Sequence, residues 1–154
     1  MIDETQTVLV EKAGGVAWIT LNRPEAMNAI NESMRAQLPA AVREADADES
    51  VRVLVIRGAG ERAFCAGADV KEFRKVDSPI LYRQDRVHNH WITAFDEARK
   101  PIIASIHGYC LGGGLEISLA CDLRFAAEDA QIGLPEVSQG TVTGAGASQR
   151  LPRV

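Results

Sequence analysis

The run HGYCLGGGLEISLACD, from His107 to Asp122, holds a single charged residue between its ends, Glu116, two residues beyond three consecutive glycines. It is entered from the apolar stretch Ile102–Ile106, which reads as a buried strand, and the glycines stand where a helix begins. Strand, glycine loop and helix in succession make the repeating unit of an α/β fold. A carboxylate left ionised in apolar surroundings is costly, so its pKa rises and it can take or release a proton near neutral pH. Glycines let a ligand come close to the backbone, and the first N–H groups of a helix have no partner inside it. Such groups can hold an oxygen on which negative charge develops. Read without function, the same residues are a solvated helix glutamate behind a glycine turn.

Working outward, Val8–Val10, Val16–Leu21 and Val51–Ile56 also read as strands, several continuous enough to be covered on both faces. The first two flank Gly14-Gly15 as an antiparallel hairpin. Asn31-Glu32-Ser33 opens a helical pattern through Ala47, in which Pro39 predicts a kink or a late start because proline removes a backbone donor. A second helical pattern runs from Ser78 to Ala98 and stops before Pro101. Alternating strands and helices imply an α/β fold with a mostly parallel sheet and flanking helices. The chain reads as one core domain over residues 1–154, and its last segment, Gly144 to Val154, looks like the entry into a further element, as if the sequence were cut short.

Composition narrows the classes. At 154 residues and 46% hydrophobic the chain suits one modest core. No apolar run approaches the roughly 20 residues of a membrane span, and the start MIDETQTVLVEK is too polar for a secretory signal, so the expectation is a cytoplasmic protein that does not act at a membrane. A net charge of −4 without a Lys/Arg cluster argues against nucleic acid as a partner. Cys65, Cys110 and Cys121 form no C-x-x-C pair and read as reduced core thiols. His88-x-His90 lacks further ligands nearby, so no metal site is expected.

A second glycine-bearing segment, Ala63 to Phe73, reads as a loop turning into a helix, with Asp69 as its N-cap. One backbone donor from here and one from Gly112–Gly114 meet the requirement of an oxyanion hole if they converge. Glu136, in Gly133-Leu134-Pro135-Glu136-Val137, supplies the other half of an acid/base pair if the fold brings it to Glu116.

Four ordered segments together resemble the crotonase superfamily, the enoyl-CoA hydratase and isomerase family. They are Asn22-Arg23-Pro24-Glu25-Ala26-Met27-Asn28-Ala29, the loop Ala66-Gly67-Ala68-Asp69, Lys100-Pro101 leading to His107-Gly108-Tyr109-Cys110-Leu111-Gly112-Gly113-Gly114, and Leu134-Pro135-Glu136. The resemblance implies a spiral of ββα units. It implies that the N–H groups of Ala68 and Gly113 bind the thioester oxygen, and that Glu116 handles water while Glu136 gives the proton at Cα. Coenzyme A, as part of an acyl-CoA substrate and with no separate cofactor, is implied to lie along Arg23, Glu25, Ala26 and Met27 and along Ala66, Gly67, Asp69, Val70 and Lys71. Gly144 is implied to help hold the water.

Both glutamates favour a hydratase, since the isomerases of the family generally keep only the position of Glu136. Thr143 and Ala147 stand where hydratases often carry Pro and Gly. The family's C-terminal portion, with helices, trimer contacts and part of the coenzyme A site, is absent from this sequence; the full-length family forms homotrimers or dimers of trimers. An isomerase, a dehydratase of another acyl-CoA, or a noncatalytic acyl-CoA-binding or interaction module are the alternatives. A serine-protease reading fails for want of a Ser/His/Asp set, and the triple glycine is neither a P-loop nor a dinucleotide fingerprint.

Overall fold

The computed structural model describes residues 6–72 and 91–154. Strands β1 (Val8–Ala13) and β2 (Val16–Leu21) form the expected hairpin, with full antiparallel register from Val8 opposite Leu21 to Ala13 opposite Val16. Its two-residue turn needs positive φ at both central positions, which Gly14 at 61° and Gly15 at 84° provide. From there every added strand is parallel. β3 (Val53–Gly58) pairs with β2, β5 (Ile102–Ile106) with β3, and β7 (Leu123–Ala126) with β5, giving one sheet in the order β1-β2-β3-β5-β7. The short strands β4 (Ala63–Cys65), β6 (Tyr109–Leu111) and β8 (Gln131–Gly133) form a second parallel sheet in the order β4-β6-β8. Each successive strand pair thus puts one strand in each sheet, the ββα winding implied by the sequence.

Helix α1 (Glu32–Ala47) is capped by Asn31, whose side chain accepts from Met34 N–H at 2.8 Å. The late start anticipated at Pro39 does not occur. Pro39 is buried inside a helix already under way, in the company of Met34, Leu38, Val42 and Ala45, which face the sheet residues Ile19, Leu21, Leu54 and Ile56. Burial of that apolar face holds the helix through the missing donor. At its far end the Lys100 ammonium donates to the carbonyls of Ala45 and Asp48, and Asp46 accepts the backbone N–H groups of Arg99 and Lys100, so the segment leading to β5 is tied to the end of α1.

Of the second long helix anticipated from Ser78, the part up to His90 lies outside the described residues, as does the His88-x-His90 pair; the described remainder is the short α2 (Thr93–Glu97). The anticipated strand at Val51 begins two residues later, because Val51 N–H is drawn back to Asp48 C=O in a turn while its side chain is buried. The segment from Ala63 begins as strand β4 and passes through the loop into the 3-10 turn Val70–Glu72, where the described residues stop. Helix α3 (Gly113–Ala120) and the short α4 (Ala147–Arg150) are the other α-helices among the described residues. All three cysteines are free and buried. Among the described residues no helix is long and apolar enough to cross a membrane, and no three His, Cys, Asp or Glu side chains cluster as a metal site.

Candidate active site

The site forms where β4 and β6, side by side in the small sheet, both run out into glycine loops. At the end of β6, Gly112 takes φ 51° and ψ −120°, a conformation closed to residues with a β-carbon, and this reverses the chain into α3. At the end of β4, Gly67 packs against that same turn: a β-carbon on Gly67 would stand 3.1 Å from Leu111 O and 3.6 Å from Gly113 N. A β-carbon on Gly113 would stand 3.7 Å from Ala68 N. The two expected donor loops are therefore in contact. Among the described residues neither Ala68 N–H nor Gly113 N–H has an acceptor, whereas Gly112 N–H next door bonds to Gly133 C=O. Gly113 N–H also sits at the positive end of the α3 dipole.

Glu116 lies in the first turn of α3 and is 6% exposed. Its carboxylate accepts Ala145 N–H at 2.6 Å, and the N–H groups of Ala147 and Gly144 bear on it as well. Burial pushes its pKa above the ordinary glutamate value, the Glu136 charge pushes the same way, and the three backbone donors pull against both. Glu136, in the 3-10 turn Pro135–Gln139, points toward the glycine turn, since a β-carbon on Gly112 would meet its Oε1 at 3.2 Å. Its Oε2 is buried without a hydrogen-bond partner. A buried carboxylate oxygen left unpaired beside two unpaired N–H groups is an arrangement the fold alone has no use for.

The two strips expected to hold coenzyme A also come together. Arg23 to Met27 forms a 3-10 turn, and Arg23 Nη1 reaches Asp69 Oδ2 at 2.9 Å. Asp69 also caps the next turn as expected, accepting Lys71 N–H at 3.1 Å. Glu25, Val70 and Lys71 are exposed, Ala26, Met27 and Ala66 are half-buried, and Gly67 is buried. The N–H of Gly144, expected at the water, bears on the Glu116 carboxylate, the group assigned to the water.

Sequence reading missed Asn28, Ala145 and Ala147. Asn28 is fully buried at a positive φ of 55°; its side chain accepts Arg23 N–H and donates to the carbonyls of Ala59 and Ala63, binding the Arg23–Met27 turn to the approach of β4. Its place inside the quoted motif was the available signal. Ala145 and Ala147 act through backbone N–H groups, which no side-chain pattern announces. The small Ala147 side chain is wholly buried in that turn.

A family model described as enoyl-CoA hydratase/isomerase matches residues 11–154. A Rhizobium meliloti (strain 1021) protein named "Probable enoyl-CoA hydratase" is 45% identical over 148 residues, 96% of this chain and 56% of its own length. The short-chain-enoyl-CoA hydratase of Clostridium acetobutylicum is 37% identical over 151 residues, 98% of this chain and 58% of its own. Among solved structures, the enoyl-CoA hydratase subunit I of Geobacillus kaustophilus HTA426 superposes with a TM-score of 0.87 at 40% identity, over 96% of this chain and 56% of that one. The chain thus spans a little over half the length of the proteins it matches.

Proposed function

The chain belongs to the enoyl-CoA hydratase/isomerase family, and from that membership and the site geometry we propose that the protein adds water across the 2,3 double bond of an enoyl-CoA thioester. The observation that carries the reading is the meeting of two acceptor-free backbone N–H groups, Ala68 and Gly113, with two glutamates that feel each other's charge. Attack on such a thioester moves an electron pair onto the carbonyl oxygen. Two fixed donors there stabilise the enolate-like transition state without reorganising, an effect of roughly 3–4 kcal/mol per donor in well-studied oxyanion holes.

In the proposed reaction Glu116 orients a water and takes its proton as the oxygen bonds to Cβ, while protonated Glu136 delivers a proton to Cα; the water O–H, the Glu136 O–H and the C=C π bond break, and a C–O, a C–H and a Glu116 O–H bond form. The carboxylate held by three backbone donors is suited to fixing a water, and the one with an unpaired oxygen to reaching the substrate. The proton gained by Glu116 passes back to Glu136 after each turnover, which restores both groups. The turns around Glu25, Ala26 and Met27 and around Ala66, Val70 and Lys71 are the proposed seat of coenzyme A, which comes with the substrate, so no separate cofactor is invoked. Assembly as a homotrimer or dimer of trimers belongs to the same proposal.

The test is loss of the conjugated enoyl-thioester absorbance on incubation with crotonoyl-CoA. Glu116→Gln and Glu136→Gln are each expected to lower kcat by about a hundredfold or more, the usual worth of a positioned acid or base. Turnover untouched by Glu136→Gln would sink the proposal, and double-bond migration that tolerates Glu116→Ala would replace it with an isomerase.

A further inference from the structure

We propose that Arg23 is a positioning residue that strengthens and aims the Ala68 donor through two intervening peptide units, with Asp69 holding it in place. The inference rests on the reading of Ala68 N–H as a donor to the thioester oxygen.

The path is continuous in hydrogen bonds. Arg23 Nη1 donates to Ala29 C=O at 2.7 Å. The same Ala29–Ile30 peptide offers its other end, Ile30 N–H, to Gly67 C=O at 2.8 Å. That carbonyl belongs to the peptide whose N–H is Ala68. A trans peptide is planar, with C=O and N–H opposed, so a carbonyl pinned toward Ile30 turns Ala68 N–H the opposite way, where it has no acceptor among the described residues. On the far side of Ala68, Asp69 N–H donates to Ile30 C=O at 3.0 Å, so both flanks of the donor residue are fixed on one residue.

Direction is only part of the effect. A cation at the head of such a chain polarises each peptide in turn, drawing electron density from the Ile30 and then the Ala68 N–H, and serial hydrogen bonds reinforce one another. Gly113 has its own source of positive potential in the α3 dipole. Ala68 stands before the 3-10 turn Val70–Glu72, and Arg23 brings a positive charge to its side of the hole. Asp69 Oδ2 takes the same Nη1 at 2.9 Å while Oδ1 caps Lys71 N–H. The pair is mostly shielded, at 19% and 11% side-chain exposure. Nη1 is committed to these two acceptors, a role separate from the coenzyme A contact expected along Arg23 and Asp69.

Arg23→Gln, Arg23→Lys and Asp69→Asn are to be compared with the unaltered protein using crotonoyl-CoA turnover, inhibition by free CoA, and the absorption band of bound 2,4-hexadienoyl-CoA, which moves to the red as its carbonyl is polarised. Arg23→Gln is expected to lower kcat between about tenfold and a hundredfold, the range that small misplacements of a reacting group produce. KM and the CoA inhibition constant stay within about threefold, the red shift falls by at least half, and Arg23→Lys recovers part of both losses. If Arg23→Gln does not fold, Asp69→Asn, which keeps an oxygen for the Lys71 cap, carries the test with a smaller change in the same direction. Weaker CoA binding with kcat and red shift intact would overturn the proposal and restore a substrate-binding role. No red shift in the unaltered protein would instead remove the oxyanion reading on which it rests.

Discussion

At the scale of single residues the site turns on Glu116, whose charged form the fold disfavours by burial and by the nearby Glu136 while three N–H groups soften the effect. A carboxyl whose folded pKa is raised supports the fold fully below its unfolded pKa and loses that support as pH rises through the folded value. Glu116→Gln removes the loss, and its Oε1 can still accept Ala145 N–H. Stability measured by urea unfolding should therefore shift in favour of Glu116→Gln, relative to the unaltered protein, as pH is raised from about 4 toward neutrality. In the same protein the acid limb of kcat/KM should lie above the ordinary glutamate value of 4.5, because the base form of a group with a raised pKa is needed. An acid limb at or below 4.5 would remove Glu116 from the role of base. Both glutamates were legible in the sequence because a lone carboxylate among apolar and small neighbours is chemically out of place. The Glu116 partners at Ala145 and Ala147 were not, since these contribute backbone N–H groups that any residue but proline would have.

At the scale of elements, Asn28 joins a turn to a strand. Its side chain makes three hydrogen bonds, to Arg23, Ala59 and Ala63, and its positive φ is one that asparagine tolerates better than most residues. Asn28→Ala leaves two carbonyls and one N–H without partners, and is expected to cost about 2–4 kcal/mol by urea unfolding. A loss under about 1 kcal/mol would mean that water replaces the side chain and that the turn is not anchored there. Strands β2, β3 and β5 could be read from their unbroken apolar character, and the β1–β2 hairpin from its glycines. β4, β6, β7 and β8 could not, because strands of three or four residues are too short to display a period. β1 was read three residues short, since Glu11, Lys12 and Ala13 continue it with exposed side chains. Pro39 does not delay the start of its helix, because tertiary burial overrides local propensity there.

Across the whole molecule the three cysteines occupy the core and none is oxidised to a disulfide. Burial pushes Cys65 up to about 12 and Cys110 up to about 11, and raises Cys121 further still. Only thiolates react quickly, so a disulfide-exchange reagent should titrate essentially none of the three in the folded protein and all of them in denaturant. Fast labelling of any one under native conditions would show that its part of the core opens locally. The overall α/β winding and the meeting of the glycine loops followed from the ordered motifs, but the assignment of strands to two sheets needed the pairing itself.

That pairing has a bearing on how the chain is made. In both sheets spatial order follows chain order, β1-β2-β3-β5-β7 and β4-β6-β8. No strand waits for a later one to be inserted beside it. After the first strand of each sheet, every described strand, as it leaves the ribosome, meets a neighbour already in place, and the Ala68 loop is laid down before the glycine turn that completes the pair of donors. Such growth leaves an unfinished margin on each sheet, at β7 and β8 among the described strands, where Leu123 is 52%, Phe125 64% and Ile132 50% exposed. A nascent chain built this way is guarded behind and adhesive in front, so the cell's folding helpers have a moving front to shield.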